Sequence, residues 1–383
     1  MSASPTDQAL SIPVVDLEDL RSGDPTRAAR AAAALKHAFG HFGLVYVKSH
    51  GVDPGNVDAL YDLFLRLTDR PEAEKTPYGR ADLWFQRGWT PPNTEKAVVA
   101  GGQPDFKECW FAAPIPTDAE SAAMYPQIYA ENIWPAPMPG FDAATAADFQ
   151  ARYVRMGEQL QRAGEALLRG CALGLALPEG TFVDVVQGGP HVTRLLHYLP
   201  LDAGQIASGV LWGEEHTDFN LITLLPGGRF FDAARASCAR PDDRSGLYLR
   251  TRPTEAEPLG ALVRGVAPPG CIVAQVGQQL EIMTGGALLA TPHVVTAPGV
   301  PGFSRASAAH FTHAQSNATL FPLPPFRTPE SMRDYSPPVL AGTYSIKTLV
   351  DIGLAPKSAL DRLGYRQYDR LGTIRAAELG GGG

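Results

Sequence analysis

The chain has 383 residues and a formal net charge of −7, with 44% hydrophobic and 19% charged residues, the balance of an ordinary globular protein able to bury a large core. Negative charge without any Lys/Arg-rich block argues against nucleic acid and against an anionic membrane as partners. No stretch nears the roughly twenty apolar residues of a membrane span. Met1 to Leu10 lacks the basic-then-apolar pattern of a secretory signal, and Cys109, Cys171, Cys238 and Cys271 are scattered without a C-x-x-C pair, so reduced thiols and a cytoplasmic location are expected.

Ile12 to Leu17 reads as a short strand. Asp24-Pro25 has the form of a helix start, an N-cap acid followed by proline at the first helical position, and the Ala-rich run Ala28 to Phe39 continues it. Gly43 stops that helix, and Leu44 to Val47 is a buried strand by its β-branched and aromatic content. Asp53-Pro54 repeats the cap ahead of a helix from about Val57 to Leu67. His37, His41 and His50 have no ligand-like spacing and are expected at the surface or in helix packing. Lys75 to Pro114 is rich in Pro, Gly and aromatics, a composition found both in loops over small-molecule pockets and in aromatic cores. Arg87 and Lys107 within it are candidates to pair with a substrate carboxylate, against a default of surface charge.

From Ala143 to Leu175 the apolar residues Phe149, Tyr153, Met156, Leu160, Leu167 and Cys171 keep mostly to three- and four-residue steps, which predicts one long amphipathic helix. It is expected to be scaffold. After Pro190 the texture changes to short strands: Val192–Tyr198, Leu221–Leu225, Gly246–Leu249, Cys271–Val276, Leu288–Val295 and Ala306–Thr312. Short strands at this spacing indicate a sandwich or barrel rather than a parallel sheet. Arg229 to Arg244 reads as a polar, strand-poor excursion, and Gly380 to Gly383 as a flexible tail.

The chemistry centres on Glu214-Glu215-His216-Thr217-Asp218-Phe219-Asn220. On a strand, His216 and Asp218 would share a face, because alternate residues point the same way. A second imidazole would complete a 2-His-1-carboxylate set of the kind that holds Fe(II). Of the remaining histidines, His293 stands out, since it ends the apolar run from Leu288 on a predicted strand well downstream. Arg305 and Ser307, again two apart on a strand, supply an arginine fork and a hydroxyl suited to gripping a carboxylate.

These pieces, in this order, resemble the isopenicillin N synthase-like group of Fe(II)/2-oxoglutarate-dependent dioxygenases. Ile12-Pro13-Val14-Val15-Asp16-Leu17 resembles the opening strand of that family. His41-Phe42-Gly43-Leu44-Val45-Tyr46-Val47 through His50-Gly51-Val52 resembles its next segment. Arg87-Gly88-Trp89, Asp105-Phe106-Lys107-Glu108 and Asn132-Ile133-Trp134-Pro135 resemble its middle region. His216-Thr217-Asp218 with Leu221 to Leu225 is similar to the first metal motif, Pro269 through His293 to the second, and Arg305-Ala306-Ser307 to its R-x-S. The resemblance implies a mixed, mainly β fold, a distorted double-stranded β-helix or jelly roll with flanking α-helices. It implies an N-terminal region over 10–135, a scaffold helix over 143–176, the jelly-roll core over 189–317 and a C-terminal extension over 318–383, together one compact unit.

It also implies Fe(II) held by His216, Asp218 and His293, with 2-oxoglutarate and O₂ as co-substrates and ascorbate as an auxiliary reductant. Arg305 and Ser307 would take the far carboxylate of 2-oxoglutarate. Tyr198, counted from Arg194, would contact the same co-substrate, with the extra Leu199 before Pro200 leaving its register open. No side chain beyond the metal ligands is assigned to catalysis. The expected reaction oxidises a small molecule by hydroxylation, desaturation or cyclisation, in keeping with specialised metabolism. A 2-oxoglutarate-independent oxidase of the isopenicillin N synthase type is the alternative, and a non-catalytic jelly-roll binding protein a further one. Three positions depart from the family pattern: Gln278 stands where Asp is common, Gly285-Gly286 where Asn-Gly is common, and Val294 where Arg follows the distal histidine.

Overall fold

The computed structural model describes residues 12–95, 106–116, 118–250 and 260–363; Met1 to Leu10 and the Gly380–Gly383 tail lie outside the described residues. Both Asp-Pro starts form as expected. Asp24 accepts from the N–H groups of Thr26 and Arg27 at the head of the helix Pro25–His41, and Asp53 from those of Gly55 and Asn56 at the head of Pro54–Thr68. His37 and His41 are exposed and His50 half-buried.

The strands in chain order are β1 Val14–Asp16, β2 Leu44–Lys48, β3 Gly88–Thr90, β4 Lys107–Ala112, β5 Val192–Tyr198, β6 Gly213–His216 and β7 Ile222–Leu225. There follow β8 Gly228–Phe231, β9 Ser237–Cys238, β10 Gly246–Arg250, β11 Leu262–Arg264, β12 Ile272–Val276, β13 His293–Thr296 and β14 Ser304–Thr312. The large sheet runs β1-β2-β12-β7-β14-β5-β4-β3, with β8 also paired to β14 and β9 to β8. A smaller sheet runs β11-β10-β13-β6. The two sheets form the jelly-roll core, an open sandwich rather than a closed barrel, and helices flank it. Among the described residues no helix is long and apolar enough to cross a membrane.

The long helix Ala143–Gly174 covers the outer face of the large sheet, capped by Asp142. Its stripe of Phe149, Tyr153, Met156, Leu160, Leu167 and Cys171 is buried. Gly157 lets the helix approach closely, because a Cβ there would lie 2.3 Å from Pro114 and 2.7 Å from the Thr193 hydroxyl. Between helix and sheet runs a buried polar chain. The Gln161 amide donates to Glu165, which turns the Gln161 carbonyl toward His310; His310 Nε2 donates to that oxygen at 2.9 Å, and its Nδ1 accepts from the Thr193 hydroxyl at 2.9 Å. Nearby His191 donates from Nε2 to the Val186 carbonyl and accepts at Nδ1 from the His313 N–H.

Four sequence expectations change. Arg229–Arg244 is not a strand-poor excursion: it carries most of β8 and all of β9, and Arg229 pairs with Asp58 and Asp62 of the Pro54–Thr68 helix while Arg235 pairs with Asp69. Its arginines made it look solvated, yet Arg229 and Arg235 are bonded to that helix and its C-terminal cap. The strand expected over Leu288–Val295 is only His293–Thr296. Leu288 and Leu289 are apolar because they are buried in packing, with the Leu289 N–H bonded to the Phe39 carbonyl instead of a ladder. Lys75–Pro114 contributes β3 and β4, pinned by buried Glu108, which accepts from Lys75 at 2.7 Å and from the Trp89 indole at 2.8 Å. Arg87 is neither surface charge nor available to substrate. It is 1% exposed and donates its guanidinium N–H groups to the carbonyls of Gln86, Ile128 and Ala130.

Burial drives the histidine pKa values down, to about 4 for His191 and about 3 for His313, and well below the ordinary value for His310. Below about pH 6.5 the unfolded chain therefore takes up protons that the folded chain refuses, so stability present above that pH is lost as pH falls. In metal-free protein the urea midpoint is expected to decline between pH 6.5 and 5, above the range where carboxylates titrate. Each such histidine contributes up to about 1.4 kcal/mol per pH unit. A midpoint constant across that interval would contradict the neutral buried assignments.

Candidate metal centre and co-substrate pocket

His216 ends β6 and His293 opens β13, and the two are direct partners in the antiparallel ladder. Their rings lie 4.4 Å apart between centroids. Asp218 is not on the strand. It sits in the loop after β6, so the convergence of His216 and Asp218 comes from that turn and not from strand alternation. The loop is gripped by backbone: the Gln278 N–H, at the start of the helix Gln278–Met283, donates to the Asp218 carbonyl at 2.7 Å, and the Gly277 N–H to Leu221 at 2.9 Å. One donor atom from each of His216, Asp218 and His293 lies within 4.8 Å of the others.

Hydrogen bonds sort the donor atoms. Asp218 Oδ2 accepts from the Thr223 hydroxyl at 2.6 Å and from the Gln275 amide at 2.7 Å. That leaves Oδ1 facing His216 Nε2 at 3.7 Å and His293 Nε2 at 3.9 Å. His216 Nδ1 donates to the Glu214 carbonyl at 2.8 Å, and His293 Nδ1 lies 3.4 Å from the Thr291 carbonyl. With Nδ1 turned to backbone, each Nε2 presents its lone pair inward, the arrangement that orients a metal-binding imidazole. Burial pushes the Asp218 carboxyl up, but His293, His216 and the two hydrogen bonds outweigh it and hold it below the usual carboxylate range. Burial and the neighbouring His216 lower His293. His216 remains half-exposed while the other two are buried, so the centre opens on one side. Two imidazoles and one carboxylate, with open space beside them, suit a divalent iron that keeps free positions.

The centre faces a cavity of about 390 Å³ between the two sheets, which Tyr198, Arg305 and Ser307 also line. Arg305 and Ser307 alternate with Ala306 on β14 and so point inward together, while Ala306 and Ala308 are buried in the core. Tyr198 lies directly opposite Arg305 on β5. The Arg305 guanidinium lies 5.4 Å from the Tyr198 ring and 6.0 Å from the Phe230 ring, and among the described residues no acid pairs with it. An inward arginine with aromatic walls and no counter-ion is the right receptor for a ligand carboxylate. Gly228 on β8 makes room for it, since a Cβ there would come within 2.4 Å of the guanidinium.

Sequence reasoning missed Thr223 and Gln275, which set the Asp218 rotamer, and Gly228, which seats Arg305. A Thr on the strand after the H-x-D could have been found by alternation; Gln275 and Gly228 are neighbours only through sheet pairing. The Gln278 departure also has a place: its amide donates to the Thr217 hydroxyl and its carbonyl accepts from Tyr344 of the helix Ala341–Asp351. That bond ties the metal loop to the C-terminal part of the fold. Gly285 and Gly286 both take positive φ, where glycine is unstrained, and Val294 is buried.

Residues 12–137 match the family model described as non-haem dioxygenase in morphine synthesis, N-terminal. Over 364 residues the chain is 23% identical to the 2-oxoglutarate-dependent dioxygenase frbA of Dothideomycetidae sp. (strain 11243), covering 88% of this chain and 99% of that protein. It is 27% identical over 325 residues to validamycin A dioxygenase of Streptomyces hygroscopicus subsp. limoneus, covering 82% and 80%. Its fold is shared by a full-length Neurospora crassa protein solved in complex with alpha-KG, at a TM-score of 0.70 and 23% identity over 90% of this chain and 97% of that one. Matched in order along most of its length to such proteins, and carrying two imidazoles and a carboxylate beside an inward arginine, the chain is similar to 2-oxoglutarate-dependent dioxygenases.

Proposed function

We propose that this dioxygenase holds Fe(II) with His216, Asp218 and His293, binds 2-oxoglutarate with Arg305, Ser307 and Tyr198, and oxidises a small molecule of specialised metabolism. The single observation that carries the reading is the shared cavity: the residues of the three-donor cluster and Arg305, which has no acid partner among the described residues, line the same space. Iron, when bound, supplies the redox centre at which O₂ is used and 2-oxoglutarate is converted to succinate and CO₂.

The protein residues do the positioning. Asp218 offers Oδ1 because Thr223 and Gln275 occupy Oδ2. The Nε2 atoms of His216 and His293 face it because their Nδ1 atoms turn to backbone. Arg305 and Ser307 fix the distal carboxylate of the co-substrate, so its other end is aimed across the cavity at the three ligands. Apolar side chains such as Leu225, Phe230, Val273 and Phe311 complete the wall and limit water around the reacting groups. The four cysteines are free thiols, which supports a reducing, cytoplasmic setting.

Three outcomes test this. Anaerobic loading of the wild type should give one Fe(II) or Mn(II) per chain by metal analysis, lost in His216→Ala and Asp218→Ala while circular dichroism is retained; full metal content in both variants would remove these residues as ligands. Gln275→Leu should weaken metal affinity about 10- to 100-fold through a misaligned Asp218, measured by competition with a chelator. Gly228→Ala should raise the KM for 2-oxoglutarate about tenfold by displacing the Arg305 fork while metal affinity stays put. Consumption of O₂ with substrate but without succinate release would instead indicate the 2-oxoglutarate-independent oxidase.

A further inference from the structure

The cavity wall holds more positive charge than the co-substrate needs. Its lining includes four cationic side chains, Lys107, Arg194, Arg240 and Arg305, against one carboxylate, Asp218, which is committed to the metal centre. Two of these cations converge on one anion. Lys107 and Arg194 stand at opposite ends of the β4–β5 ladder, Lys107 opposite Tyr198 and Arg194 opposite Phe111. Their side chains nevertheless meet at one oxygen of Glu95, which Arg194 Nη2 reaches at 2.5 Å and Lys107 Nζ at 3.4 Å. All three side chains are largely buried, at 7%, 13% and 11% exposure for Lys107, Arg194 and Glu95. Burial alone would raise the Glu95 carboxyl, but Arg194 and Lys107 hold it down at about 2, so it is an anion shared by two cations.

Arg194 and Lys107 line the cavity, whereas Glu95 does not. The shared carboxylate therefore fixes the two cations from outside the wall and leaves them facing the space in front of the metal centre. Arg194 is further set by its stacking over Phe111, at 4.6 Å, and by a bond from Nη2 to the Cys109 thiol. Its Nε–H is buried and has no partner among the described residues.

We propose that Arg194 and Lys107, held together by Glu95, form a second anion subsite in the cavity, distinct from the Arg305 anchor, and that the substrate is a small molecule bearing a carboxylate which this pair reads. The inference rests on the reading of the cavity as an active site. Arg194 and Lys107 are specificity-determining residues that touch substrate, and Glu95 is a positioning residue.

The test uses the full chain loaded anaerobically with Mn(II) and 2-oxoglutarate, titrated with phenylacetate, hexanoate and cyclohexanecarboxylate and with the primary amide of each. Paramagnetic broadening of the added molecule's protons reports binding near the metal. The wild type is expected to bind at least one acid at millimolar concentration and its amide at least tenfold more weakly. Arg194→Gln and Lys107→Met should each weaken the acid about tenfold, the loss of one charge-assisted hydrogen bond, and by more than they weaken 2-oxoglutarate in the same samples. Because Arg194→Gln strands Glu95 as a buried charge, the double variant R194Q/E95Q is run beside it and should show the same loss. Equal binding of acids and amides, no acid binding to the wild type, or variants that bind as the wild type does would overturn the subsite. So would a loss that falls equally on 2-oxoglutarate. Absence of 2-oxoglutarate binding to the wild type would instead fail the co-substrate reading, which keeps the two failures apart.

Discussion

The structure depends on one nine-residue strand, β14, being buried on both faces. Alternation along it sends Arg305 and Ser307 into the cavity and His310 and Thr312 toward the long helix. It pairs with β5 along nearly its whole length, with β8 at its start and with β7 at its end. A one-residue slip would exchange the faces, burying a guanidinium against the helix and pointing an imidazole into the cavity. The His310–Gln161–Thr193 chain opposes that slip, because each of its members has its partner in only one register. The scaffold helix thus carries no chemistry yet fixes where the chemistry stands.

The same division holds at the candidate metal centre. Asp218 has one oxygen held by Thr223 and Gln275 and one left facing the imidazoles, and its loop is held by N–H groups from the segment after β12. Binding sites made of a few donor atoms tolerate little misplacement, since the neighbours that orient the ligands set affinity nearly as much as the ligands do. Here those neighbours come from β7, β12 and the short helix after it, which also leans on Tyr344 far along the chain. The large sheet mixes strands from both halves of the chain, β1 to β4 from before the long helix and the rest from after it. Wall and anchor are therefore assembled jointly: Lys107 arrives on β4 while Arg194 and Tyr198 arrive on β5.

The polar hairpin β8–β9 shows how composition misleads. Arg229 and Arg235 are charged residues of the kind that mark a solvated excursion, but each is ion-paired to the Pro54–Thr68 helix or its C-terminal cap Asp69, and the aromatic residues between them are buried. Arg87 misleads in the same way, a cation whose charge is satisfied wholly by backbone carbonyls within the fold. Charge alone reports a need for partners, not where they are.

The sequence by itself determined a good deal. Capped Asp-Pro starts located two helices, three- and four-residue periodicity located the scaffold helix, and clustered short strands announced a sandwich or barrel, because these signals act over a turn or a strand and need no distant partner. The H-x-D spacing, the distal histidine and the R-x-S pair were legible as residue types with one chemistry between them. Only the tertiary structure decided how they meet. His216 and His293 face each other through a ladder between strands far apart in the chain, Asp218 reaches them from a loop, and Gly228 makes space for Arg305 from a neighbouring strand. The sharing of Glu95 by Lys107 and Arg194 was invisible for the same reason. Pairing across a sheet is set by the packing of the whole core, and no local pattern encodes which distant side chain will stand opposite.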